Sequence, residues 1–274
     1  MHLTSLLVKR RVEITNIKKA YIAVSSVIIL LGVLYFSLLT PNYIVPILTY
    51  HNIGYEKEGH FVSPDNFAKQ MEFIKKNGFE VITLDELVSD IKSKKHLKRN
   101  KLVITFDDGY QDNFEHAYPV LNKFGFPATV FLVTDYIGVK KGFLSWDEIR
   151  VMSRNKISFG GHTANHFYLG LLEDDAIAWE QIAGPKEIIK REIGVPADYF
   201  CYPSGGFNDK IKEIVKKAGY KGACSTNRGF AKLNSDVYEL KRIKVTNSDT
   251  VKPLSFRVKL SGYYNLIRGK KNPY

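Results

Sequence analysis

Hydrophobic and polar positions divide the chain near Pro41. Before it lies one unbroken apolar run, YIAVSSVIILLGVLYFSLL at 21–39, and no charged residue falls between 21 and 40. At about 1.5 Å rise per residue, a run of this length just crosses a hydrocarbon core about 30 Å thick. After Pro41 the pattern changes. Short β-type runs at 44–50, 80–83, 102–106, 129–133, 157–160, 199–202, 222–225 and 240–245 alternate with amphipathic helical runs. Ser63 is placed to cap a helix through Phe67, Met71 and Ile74 that stops at Gly78, and Asp85 to cap one over 87–91. Further helices are predicted over 113–124, 146–154 and 209–218. Regular βα alternation predicts an α/β fold with a mostly parallel sheet, either a barrel or a doubly wound layer.

Charge changes the reading of the N-terminus. Residues 1–20 carry Lys9, Arg10, Arg11, Lys18 and Lys19 against Glu13, a net of +4 out of +12 for the chain. A cleavable signal peptide has a shorter apolar stretch and a small-residue exit. Here the exit reads Leu38-Leu39-Thr40-Pro41, so an uncleaved anchor is the expectation. A core helix would not follow a basic cluster. With positive charge on one flank only, residues 1–20 are expected in the cytoplasm, 21–40 in the membrane as a single-pass signal-anchor, and 41–274 outside the cell as one domain.

Two cysteines, Cys201 and Cys224, exclude a disulfide scaffold, a four-cysteine zinc site and an iron–sulfur cluster. Buried free thiols are expected rather than a bridge. The basic balance reads first as a solvated surface, and would also suit anionic lipid or an anionic wall polymer. No phosphate loop, RNA-binding aromatic motif or helix-turn-helix accompanies it, so nucleic acid is set aside as a partner. The tail IRGKKNPY at 267–274 reads as a frayed basic terminus.

Two clusters carry candidate chemistry. In VITFDDGYQDNF, 103–114, a β run ends in Asp107 and Asp108, and Gly109 permits a sharp turn. Adjacent carboxylates are costly unless a cation or proton lies between them; a plain turn with a helix cap would leave the same string. In ISFGGHTANHFYL, 157–169, another β run ends in His162, with His166 four residues on. If 162–166 form one helical turn, both imidazoles share a face and suit one metal; a structural or surface histidine pair is the alternative. A carboxylate and two imidazoles leave an open shell, as catalytic metals require. Zinc is the default ion, with cobalt, nickel, manganese and ferrous iron as alternatives.

TFDDG at 105–109 and HTANH at 162–166 resemble the first two motifs of the polysaccharide deacetylases, carbohydrate esterase family 4 with its NodB-like domain. The resemblance covers roughly 44–245. It implies a distorted (β/α) barrel and metal-dependent removal of an N-acetyl group from a sugar. By it Asp107 is the general base, and Asp108, His162 and His166 hold the metal. The third motif departs: CYPSG at 201–205 stands where the family shows R-x-P-[FY]-G, so Cys201 replaces the arginine and Ser204 the aromatic. A backbone N–H at Ser204 survives that change and can still serve an oxyanion. Arg242, in LKRIKV, is the candidate replacement arginine; a strand arginine on the barrel exterior is the alternative. No histidine follows His166, so the family's late acid histidine has no match. His51, in PILTYHNIG at 46–54, resembles the early acid of the circularly permuted branch that deacetylates poly-β-1,6-N-acetylglucosamine in biofilm matrix. FLSWDEI at 143–149 resembles that branch as well. Tyr110, Trp146 and Tyr202 are expected to stack on sugar, or else to pack in core or rim. The resulting expectation is a membrane-anchored poly-β-1,6-N-acetylglucosamine deacetylase. Alternatives are a peptidoglycan or chitooligosaccharide deacetylase, or a catalytically silent carbohydrate-binding wall protein on the same fold.

Overall fold

The computed structural model describes residues 2–35, 37, 43–56, 61–94, 97–226 and 235–267. The end of the apolar run at 36 and 38–42, and the basic tail after Ile267, lie outside them. Two units are distinguished, residues 1–43 and 44–274. Among the described residues of the first lies helix α1 (His2–Leu34), whose stretch Ile14–Leu34 has a mean hydropathy of 1.9 and no buried residue. By length and composition this stretch can serve as a membrane anchor or a signal peptide.

The second unit is built from strands β1 (Ile47–Tyr50), β2 (Asn52–Ile53) and β3 (Phe61–Val62), helix α2 (Pro64–Lys76), β4 (Glu80–Val81), α3 (Leu84–Lys92) and β5 (Lys101–Phe106). A π-helical turn (Asn113–Ala117) leads into α4 (Tyr118–Phe124), then β6 (Ala128–Leu132), α5 (Trp146–Ser153), β7 (Ile157–Gly161) and α6 (Asp175–Ile193). β8 (Tyr199–Cys201), a 3₁₀ turn (Pro203–Gly205), α7 (Asp209–Lys217), β9 (Gly222–Ser225), β10 (Leu240–Lys241) and β11 (Ile243–Lys244) follow. The chain ends in α8 (Ser248–Val251), α9 (Pro253–Leu260) and α10 (Tyr264–Ile267).

Every pairing in the main nine-stranded sheet is parallel, in the order β10-β9-β8-β7-β6-β5-β1-β11, with β4 beside the start of β5. The two ends of that order are neighbours in sequence. Leu240 and Lys241 pair with Cys224 and Ser225 of β9, while Ile243 and Lys244 pair with Leu48 and Thr49 of β1. Between them the Arg242 N–H turns to the Ser225 carbonyl at 3.1 Å, and just past β11 the Val245 N–H turns to that of Thr49 at 3.2 Å. One stretch therefore changes partners at Arg242 and draws the sheet into a nearly closed barrel. The expected strand over 240–245 is two short strands for this reason.

Burial explains the apolar runs. Strands of a parallel sheet covered by helices are hidden on both faces and read as continuous hydrophobic segments. ILTY, KLVITF and ATVFL are buried almost throughout. Caps set the helices. Ser63 caps α2 as expected, its Oγ accepting the Asn66 N–H. The expected Asp85 cap is corrected to Thr83, because Thr83 and Glu86 form a reciprocal capping box at the start of α3. Asp85 sits in the first turn and accepts the Tyr199 hydroxyl at 3.1 Å. The helix expected over 113–124 divides into the π-turn and α4. Cys201 and Cys224 face each other in the β8–β9 register as buried free thiols.

Candidate active site

The carboxyl ends of the barrel strands gather the polar residues, as parallel barrels do. His51 follows β1, Asp107 and Asp108 follow β5, and His162 and His166 follow β7. Backbone strain collects here too. Of the six non-glycine residues with positive φ among those described, Asp108 (72°), Thr163 (61°), His166 (65°) and Ser204 (53°) belong to this face. Such conformations persist where the surroundings hold them. Gly109 (φ 79°) completes the Asp-Asp-Gly turn, and a Cβ there would strike Leu132 and Ile137.

Residues 162–166 form a tight turn rather than the helical turn that would have placed both imidazoles on one helix face. The His162 N–H goes to the Leu132 carbonyl (2.9 Å), Gln181 Oε1 accepts from the Ala164 (3.2 Å) and Asn165 (3.4 Å) N–H groups, and just past the turn Thr163 Oγ1 accepts from Phe167 (3.0 Å). The two imidazoles still converge. His162 Nε2 and His166 Nε2 each lie 3.5 Å from Asp108 Oδ1. The three donor atoms lie within 4.8 Å of one another.

This set fits a divalent cation on two counts. Asp108 Oδ1 is buried and has no hydrogen-bond partner, although it faces both imidazoles; an orphaned buried carboxylate oxygen calls for positive charge. His162 Nδ1 lies 2.7 Å from the Cys201 carbonyl, so it donates there and Nε2 keeps its lone pair for the site. Burial lowers the pKa of His162 to about 4, and also lowers that of His166, which keeps both neutral near pH 7. Burial, with the neighbouring Asp107 charge, pushes Asp108 up to about 7. The Tyr110 hydroxyl hydrogen-bonds the Asp108 carboxylate and opposes that rise.

Asp107 is driven the other way. Burial alone would raise it, but the Arg242 charge and hydrogen bonds outweigh burial, with smaller help from His51 and His162. Its carboxyl lies well below the ordinary range. Arg242 meets it as a fork, Nη1 to Oδ1 at 2.7 Å and Nη2 to Oδ2 at 2.6 Å, and donates also to Thr105 Oγ1 at 3.1 Å. The Arg242 side chain is wholly buried, so the exterior placement is excluded. The Cys201 sulfur sits where Arg242 Nη2 reaches it at 3.0 Å, and burial holds the thiol protonated. His51 Nε2 lies 3.7 Å from Asp107 Oδ2 on a side chain that is 20% exposed.

Tyr202 is corrected as a sugar platform. It is fully buried, stacks on Phe207 at 4.5 Å and donates its hydroxyl to the Tyr238 carbonyl, which makes it core. Trp146 packs half-buried against the core at the first turn of α5. Tyr110 stands against Phe143 at 4.8 Å, next to Asp108. Ser204 is exposed on the turn after β8. Sequence reasoning missed Gln181, which supports the histidine turn from α6. Its signal was the buried spacing of Ala178, Ile182 and Ile189 between a capping Asp174 and Gly194.

Known proteins align with this geometry. A profile described as polysaccharide deacetylase matches residues 94–223. YxkH of Bacillus subtilis, which carries a polysaccharide deacetylase name, is 30% identical over 202 residues, 74% of this chain and 71% of its own. The poly-β-1,6-N-acetyl-D-glucosamine N-deacetylase of Staphylococcus aureus is 25% identical over 75% of each chain. The solved Streptococcus pyogenes deacetylase PplD, in complex with acetate, superposes with a TM-score of 0.71 at 25% identity, over 77% of this chain and 96% of its own. The chain belongs to the polysaccharide deacetylase family.

Proposed function

We propose that this protein is a metal-dependent deacetylase that hydrolyses the N-acetyl groups of N-acetylglucosamine residues in an extracellular polysaccharide, poly-β-1,6-N-acetylglucosamine in the first place. The observation that carries the reading is the pair of adjacent carboxylates: one locked to Arg242, the other left with an idle oxygen facing two neutral imidazoles. The Staphylococcus aureus relative supports the polymer.

Asp108, His162 and His166 would hold the ion, zinc by default. When bound it supplies Lewis acidity at the acetamido carbonyl and at water. The chain's own residues do the rest. Asp107, kept ionised by Arg242, aligns the attacking water. The same ion pair lowers its basicity, so it takes the proton only as carbon–oxygen bond formation makes the water acidic. The Ser204 N–H faces the developing oxyanion on the substrate carbon. His51, partly open to solvent, gives a proton to the amine nitrogen, which leaves poorly as an amide anion. Acetate and a glucosamine unit result. Tyr110 and Trp146 offer aromatic surface to the sugar. Residues 1–20 lie in the cytoplasm, 21–40 span the membrane, and 41–274 work outside the cell.

The test is acetate release from defined N-acetylglucosamine oligomers after chelation and after metal is added back. Release from β-1,6-linked oligomers that is lost on chelation and restored by a divalent ion is expected. Turnover untouched by chelation overturns the mechanism. Release from β-1,4-linked oligomers alone overturns the assigned polymer.

A further inference from the structure

The hydrogen-bond ladder joining β1 to β5 ends where the candidate chemistry begins. Its last rung runs from the Asp107 N–H to the Tyr50 carbonyl at 3.0 Å. His51 lies one residue beyond that rung. A second set of bonds takes over there. Asn113 Nδ2 donates to the His51 carbonyl at 2.8 Å and to Asp112 Oδ1 at 2.8 Å. Asp112 Oδ2 accepts from Asn52 Nδ2 at 3.1 Å, and the Asp112 carboxylate also takes the Ile53 N–H. Two consecutive residues that follow the Asp-Asp-Gly turn thus grip all three residues of the segment 51–53.

The chemistry of Asn113 points to a task other than packing. The side chain is buried. Both groups next to its amide are acceptors, so the NH₂ must face them. That leaves Oδ1 buried with no partner. An idle buried oxygen costs stability that an apolar residue of similar size would avoid. What the amide adds is its hold on the His51 backbone. Asn113 also opens the π-helical turn, a wide turn that is frequent at functional sites.

We infer that Asn113 and Asp112 are positioning residues that clamp the His51 segment to the Asp107–Asp108 turn, setting the imidazole where a departing amine must be protonated. The inference rests on the reading of His51 as the proton donor. The clamp lets one strand end carry the acid and its neighbour carry the base and a metal ligand, with their spacing held by side chains once the ladder stops.

The experiment compares wild type, His51→Ala, Asn113→Ala and Asp112→Asn on two substrates, with metal content and melting temperature measured alongside. One substrate is an N-acetylglucosamine oligomer, whose amine needs a proton to leave. The other is an aryl acetate, whose phenolate leaves without one. Asn113→Ala is expected to lower oligomer turnover at least tenfold, mainly in kcat, while aryl acetate turnover and metal content stay within about twofold of wild type. Asp112→Asn keeps the shape but sets amide donors against donors. It should show the same selective loss to a smaller degree, and it decides the matter if Asn113→Ala does not fold. Equal loss on both substrates means a merely structural role and overturns the inference, as does unchanged oligomer turnover. If His51→Ala leaves oligomer turnover intact, the reading of His51 itself fails; selective loss in His51→Ala with none in the clamp variants sinks the clamp alone.

Discussion

Asp107 and Asp108 share one turn, yet their surroundings drive them in opposite directions, and each direction has a measurable consequence. Arg242 holds Asp107 ionised in a wholly buried fork. Removing one partner of a buried pair leaves an uncompensated charge, at a cost of about 3–5 kcal/mol. Arg242→Met should therefore lower the melting temperature and acetate release together. Arg242→Lys keeps the charge but not the fork, and should recover part of the stability and less of the turnover. For Asp108, burial raises the folded-state pKa to about 7, against about 3.9 in an unfolded chain. A raised pKa means the folded metal-free protein holds a proton that the unfolded chain releases. That contribution to stability is full below about pH 4 and is lost as pH climbs through 7. His162, lowered to about 4, acts between there and about 6.5, so the window above pH 6.5 isolates Asp108. Relative to Asp108→Asn, chelated wild type should lose about 0.8 kcal/mol from pH 6.5 to 8, with a slope that starts near about 1 kcal/mol per pH unit and fades toward zero above pH 7. Metal-loaded protein should show no such slope. Denaturant titrations at several pH values check this, and a flat difference would show that Asp108 is not held protonated.

At the level of elements, the strands were legible and much of their support was not. Unbroken apolar runs ending in Asp107 or His162 marked both strand and site, because a parallel strand is hydrophobic on both faces until it leaves the barrel. Whether the segment after β7 is helical was not legible, because the acceptor of two of its N–H groups comes from afar: Gln181 is sixteen residues past Asn165 in sequence. α6, which carries Gln181, escaped notice because Gly184 and Pro185 interrupt its pattern, although Pro185 is buried inside the helix. Arg242 read equally well as interior or exterior, since nothing local announces that a strand changes partners there. Tyr202 looked like a sugar platform because its hydroxyl partner, the Tyr238 carbonyl, is distant in sequence. The support from α6 is testable. Gln181→Leu removes the acceptor of two turn N–H groups and should weaken metal binding about tenfold, the scale of outer-shell losses at metal sites. Chelator competition measures it, and affinity equal to wild type would reduce Gln181 to a packing residue.

At the scale of the whole molecule, the barrel is completed by residues 240–244, which touch both ends of the sheet. The residue at the seam, Arg242, closes the sheet through its backbone and anchors Asp107 through its side chain, so the two meet at one position. All the described strands lie in the unit 44–274, and its first backbone group, the Ile44 N–H, is bonded to the Gly262 carbonyl at 3.1 Å. The stretch Ile14–Leu34 contributes no buried residue. A variant lacking residues 1–42 should therefore fold cooperatively, melt within a few degrees of the full chain, and keep its turnover on soluble oligomers. Its association with lipid vesicles should disappear, because the apolar stretch is what would insert. Flotation of both forms with vesicles, together with their melting curves, makes the comparison. A shortened chain that still floats would place membrane affinity in the barrel. One that fails to melt cooperatively would mean that the N-terminal unit takes part in the fold.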